Sequence, residues 1–117
     1  MYKIKYKKNK DSYEYITKAN NPSIAESMIA SRNTEEIDIS QIIKVKYRND
    51  IIENNDSDGF YFHIVSESLT VEGKVEKEYS LFLAMSLENA IKEFRKDDSL
   101  SEIVSIAKTK IIDYLIN

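Results

Sequence analysis

Cysteine is absent from the 117 residues, glycine occurs twice and histidine once. Without cysteine there is no disulfide, no thiolate metal site and no Cys nucleophile, which suits a reducing compartment. Two isolated glycines, Gly59 and Gly73, cannot build a phosphate-cradling loop. His63 lies between Phe62 and Ile64 with no nucleophile marked beside it, so a Ser-His-Asp arrangement has no starting point. A solvated or hydrogen-bonded strand histidine is expected instead. No stretch nears the roughly 20 apolar residues of a membrane span. The alternating lysines of Met1–Tyr6 exclude the apolar run of a signal peptide. These absences lead us to expect a soluble cytoplasmic protein that is not an enzyme, with no catalytic residue, no metal, no cofactor and no membrane partner.

What is present is written twice. Residues 2–52 and 60–116 each read as a hairpin, a short capped helix and a third strand, and such repetition bounds the architecture early. In the first half Tyr2–Lys7 alternates strictly, with Tyr2, Ile4 and Tyr6 on one face and Lys3, Lys5 and Lys7 on the other. That is the pattern of a strand with one buried face. Lys8–Ser12 is a polar turn, Tyr13–Ala19 the second strand and Ile42–Tyr47 the third. Asn21 before Pro22 starts a helix running to about Arg32: the Asn side chain accepts a free amide, and proline has none to leave unpaired. In the second half the strands are Phe60–Val65, Tyr79–Ala84 and Ile103–Ala107, and the helix runs from Leu87 to Lys96 behind Ser86. Aligning the caps Asn21 and Ser86 also aligns Ala25 with Ala90 and Ile29 with Phe94. The expected fold is α+β, two tandem β-β-α-β repeats (1–53 and 60–117) joined by a polar linker, 54–59. The helices should pack on one face of antiparallel-rich sheet, with the third strand beside the first in order 2-1-3. One shared sheet and two packed sheets both satisfy this pattern.

The net charge of −3 hides an asymmetry. Residues 1–48 hold ten Lys/Arg against six acids, and residues 49–117 hold seven against fourteen. Opposite halves can attract each other, or can serve different partners. Lys3, Lys5 and Lys7 on the first strand and Lys44, Lys46 and Arg48 on the third are candidate nucleic-acid contacts. In the 2-1-3 order they would line one sheet face, with Tyr13, Tyr15 or Thr17 adjoining for base stacking. The bland alternative is a wet face decorated with lysine, which also protects edges. Glu67, Glu72, Glu76 and Glu78 lie on a long hairpin whose tip carries Gly73, and they are candidate protein contacts. Asn54-x-Asp56-x-Asp58-Gly59 imitates the start of a calcium loop, but Val65 stands where the bidentate Glu is needed. Asp97-Asp98 reads as a solvated loop after a helix rich in Lys and Arg.

The opening strand Tyr2-Lys3-Ile4-Lys5-Tyr6, the aromatic strand Phe60-Tyr61-Phe62-His63 and the closing stretch Glu102–Asp113 together resemble an uncharacterised domain-of-unknown-function family. That family occurs in gut-type bacteria and their phages, including crAss-like ones. The resemblance spans nearly the whole chain. The family tends to place tryptophan where Phe60 or Tyr61 stands, and its helices are longer than Pro22–Arg32. It supplies no catalytic residues and implies a phage or mobile-element setting. The expected function is therefore a non-catalytic module acting by protein–protein contact, with inhibition of host defence machinery (anti-CRISPR-like in style) as one concrete version. The alternative is single-stranded nucleic-acid binding on the basic face.

Overall fold

The computed structural model describes residues 1–48 and 59–116; most of the linker, including the calcium-loop imitation at 54–58, lies outside the described residues. The elements are β1 (Tyr2–Lys8), β2 (Asp11–Thr17), α1 (Pro22–Arg32), β3 (Asp38–Lys44), β4 (Phe60–Leu69), β5 (Val75–Ala84), α2 (Leu87–Asp97), β6 (Glu102–Lys108) and β7 (Ile111–Leu115). The class is α+β, with helices packed on sheet, and among the described residues no helix is long and apolar enough to cross a membrane. The chain forms two units, residues 1–46 with the segment from Lys110 onward, and residues 47–109.

In the first unit the order is β3-β1-β2-β7, so the third strand lies beside the first as expected. β1 and β2 turn at Asn9 (φ 52°) and Lys10 (φ 72°), with Lys8 opposite Asp11. This two-residue connection has the paired left-handed conformation that matches strand twist, so the turn is tighter than the polar stretch 8–12 suggested. The second strand correspondingly ends at Thr17 rather than Ala19. Asn21 Oδ1 accepts from Ile24 N–H at 2.9 Å, completing the α1 start. Ala25 and Ile29 are fully buried against Ile4, Tyr6, Ala19 and Leu115. Tyr6 stacks on Tyr13 (5.4 Å) and Tyr15 (5.9 Å) on this same helix-covered face. Burial, and then the neighbouring Tyr6, push the Tyr15 hydroxyl pKa up to about 12.

The third strand differs from its expected span: it starts at Asp38 and stops at Lys44. Ser40 is an extra residue between the Lys5–Gln41 and Tyr6–Ile39 pairs, and its hydroxyl donates to Lys5 C=O at 3.1 Å. The bulge lets both Ile39 and Ile42 pack toward α1. β7 was not foreseen. It joins β2 in parallel, and Lys18 N–H donates to Leu115 C=O at 2.8 Å just beyond the ladder.

In the second unit the order is β5-β4-β6, again 2-1-3. Ser86 Oγ accepts from Asn89 N–H at 3.2 Å, and Glu88 early with Arg95 and Lys96 late complement the α2 dipole. Ala90 and Phe94 are fully buried over Phe62, Ile64 and Ala84, matching Ala25 and Ile29 of the other unit. Gly59 approaches Ala84 so closely that a Cβ there would sit 3.0 Å from its carbonyl oxygen. His63 is half-buried, parallel to Tyr79 at 5.7 Å and edge-on to Tyr47 at 6.0 Å.

Candidate protein-contact surface

The six cations do not share a face. Residues directly opposite each other in a ladder point the same way. Lys44 stands opposite Tyr2, and Ile42 stands opposite Ile4, so Lys44 follows the helix-covered face. The two adjacent isoleucines, Ile42 and Ile43, leave the phase of this strand open in sequence, and burial of Ile42 against α1 settles it. On the other face the neighbours of Lys3 are Ile16 and Ile43, those of Lys5 are Glu14 and Gln41, and those of Lys7 are Ser12 and Asp38. Lys5 Nζ lies 3.4 Å from Glu14, and Ile16 on this lysine face is fully buried. Tyr13 and Tyr15 point toward α1, away from the lysines. Lys46 is exposed beyond the end of β3.

Arg48 is committed elsewhere. Its N–H donates to Tyr79 C=O at 2.8 Å, its Nε reaches Glu78 Oε2 at 2.8 Å and its Nη1 reaches Asp98 Oδ2 at 2.9 Å. The guanidinium also lies over the Phe94 ring, 5.4 Å from its centroid, as does that of Arg95. Asp98 is therefore not a solvated loop residue. It ends α2, its Oδ1 accepts from Leu100 and Ser101 N–H, and its Oδ2 accepts from Ser101 Oγ at 2.5 Å. Arg95 Nη1 donates to Ser101 C=O at 2.6 Å, closing the same turn. This cluster braces the end of α2 and consumes its own charges.

The Ser101 hydroxyl and amide, then the Leu100 amide and Arg48, lower the Asp98 pKa from 3.8 to about 2, against a smaller desolvation effect that raises it. A depressed carboxylate stabilises the folded form above its unfolded pKa and loses that contribution as pH falls through the folded value. Between pH 3.8 and about 2 the wild type should thus lose stability that Asp98→Asn does not lose. Chemical denaturation of both proteins at a series of pH values checks this; parallel curves across that window would refute the role given to Asp98.

The β4–β5 hairpin runs past its neighbour. β6 pairs only as far as Glu67, whereas the β4–β5 ladder continues to Leu69–Val75. Gly73 (φ 81°) makes the turn, with Gly73 N–H donating to Thr70 C=O at 2.9 Å and Thr70 N–H to Lys74 C=O at 2.8 Å. Glu72 and Glu76 are exposed on this arm, Glu67 is half-buried opposite Lys77, and Glu78 is held by Arg48. Only part of the proposed acidic set is therefore free. The sequence reading missed the apolar residues among them: Leu69 is 75% exposed, Val71 fully exposed and Val75 62% exposed. Their signal was available, since Leu69, Val71 and Val75 interrupt an otherwise polar hairpin tip.

A groove of about 290 Å³ beside α1 is lined by Ser23, Ile24, Ser27, Met28 and Ser31. Ser27 and Ser31 spend their hydroxyls on the helix's own carbonyls, of Ser23 and Met28. Comparison with protein-family models, with curated proteins and with solved structures gives no match.

Proposed function

We propose that this chain is a non-catalytic binding module that acts by protein–protein contact through the β4–β5 arm. The observation that carries the reading is the tip itself, three exposed aliphatic side chains beside Glu72 and Glu76. Apolar residues grouped at an exposed tip and rimmed by charge mark interaction surfaces. Glu72 and Glu76 alternate with the exposed Lys74 and Lys77, so the arm suits a partner that offers both signs of charge. The resemblance to a phage-associated family supports a mobile-element setting, in which a component of host defence machinery is such a partner. Single-stranded nucleic-acid binding, the alternative, loses support from the split of its six cations between faces and ion pairs.

The test is comparative capture from a lysate of the source cells. Glu72→Lys with Glu76→Lys should leave the fold intact, because exposed substitutions usually change stability within about 0.5 kcal/mol. It should weaken a partner bound by the wild type at least about tenfold, since like charges at a docking surface penalise encounter and complex alike. A stoichiometric partner retained equally by both proteins would sink the assignment of the arm.

A further inference from the structure

We infer that the arm docks on the arm of a second copy, β5 against β5, with Val75 on the two-fold axis. This rests on the reading of the arm as a contact surface and names its partner. Among the described residues β5 is an edge strand of its sheet. Lys74 C=O faces inward, accepting from Thr70 just past β4, while Tyr79 C=O faces outward, accepting from Arg48. The β5 ladder has no register shift, so backbone groups alternate along it. Val75 and Lys77 thus turn their N–H and C=O away from β4, and no described residue bonds them there. An edge of this kind is a template for another strand.

Symmetry and charge choose the register. A two-fold axis normal to the sheet keeps faces matched, so residues of equal parity oppose each other. Centring on Glu76 would set two carboxylates together, centring on Lys77 two ammonium groups, and Tyr79 is already taken by Arg48. Centring on Val75 sets Val75 opposite itself with two outward-facing backbone bonds. Leu69, which pairs with Val75 within each arm, then extends a row of four aliphatic side chains across the sheet. On the opposite face each Lys74 meets Glu76 of the other copy. Leu69 and Val75 are covered and every opposed charge finds its opposite, an arrangement the sequence Lys74-Val75-Glu76 is suited to only in this register.

So small a contact belongs at the weak end of association, which makes the experiment sedimentation equilibrium of the purified chain from about 10 to about 500 µM. The wild type should pass from monomer toward dimer over this range. Val75→Lys, at an exposed position, should remain monomeric throughout. Lys74→Glu alone and Glu76→Lys alone should each weaken the dimer about tenfold or more, because each opposes like charges. The double swap, Lys74→Glu with Glu76→Lys, should restore it. Circular dichroism of every variant separates lost pairing from lost folding. A wild type monomeric at about 500 µM that still captures a different protein through its arm overturns the dimer and leaves the contact reading standing. A dimer indifferent to Val75→Lys, or a double swap that fails to restore association, overturns the strand pairing.

Discussion

Phe94→Ala should lower the stability of the second unit by about 3–5 kcal/mol, the usual cost of truncating a fully buried aromatic. Phe94 is completely enclosed, and Phe82 meets it edge-on at 6.2 Å with planes 87° apart, the geometry favoured by ring quadrupoles. Truncation would leave a cavity under α2. It would also remove the ring over which Arg48 and Arg95 both lie. Because native stability is only about 5–15 kcal/mol, a loss of this size should be visible as a large drop in the urea midpoint. The arm lies apart from this cavity along the same strands, so the first hydrogen-exchange protection to fall should be that of α2 and of the Arg48–Asp98 cluster. A midpoint unchanged within error would show that α2 does not depend on this side chain.

Ile29→Ala is the matching experiment in the first unit and should cost about 2–5 kcal/mol. Ile29 occupies the place in α1 that Phe94 occupies in α2, eight residues after its cap, and it is equally inaccessible. Its neighbours differ: Ile4, Tyr6 and Ala19 with the C-terminal Leu115, rather than a second phenyl ring. The cost depends on whether those residues can close over the gap, and the stacked Tyr6, Tyr13 and Tyr15 resist such movement. Near-ultraviolet circular dichroism, which reports tyrosine packing, should therefore fall together with the denaturation midpoint. Loss of stability with an unaltered tyrosine signal would mean that the ladder of rings is set by the sheet alone.

Much of this fold was legible because its determinants are local. Strict alternation in Tyr2–Tyr6 marked the buried face of β1, and the caps at Asn21 and Ser86 placed both helix starts. The 2-1-3 order followed from chain connection and repeated in both units. The third strand was harder. A bulge at Ser40 shifts its register, and two adjacent isoleucines offer either phase. That ambiguity put Lys44 on the wrong face and created a six-cation surface which the fold does not build. Arg48 and Glu78 were assigned to different partners although they bind each other, because the ion pair joins residues distant in sequence. β7 was missed for a related reason: Ile111–Leu115 is a short apolar run, and its pairing with β2 spans nearly the entire chain.

The sequence by itself determined the two β-β-α-β repeats, the positions of both helices, the small-then-large pair each helix buries, and the lack of any thiol or glycine-loop chemistry. Each of these depends on periodicity, on capping residues or on composition, which act over a few residues. Tertiary structure decided that the described strands form two sheets, that the last of them joins the first unit, and that the basic residues divide between opposite faces and ion pairs. It also decided which side chains of the long hairpin remain uncovered. A strand's own alternation says which residues share a face, but only its ladder partners and the helix above it say which face is buried.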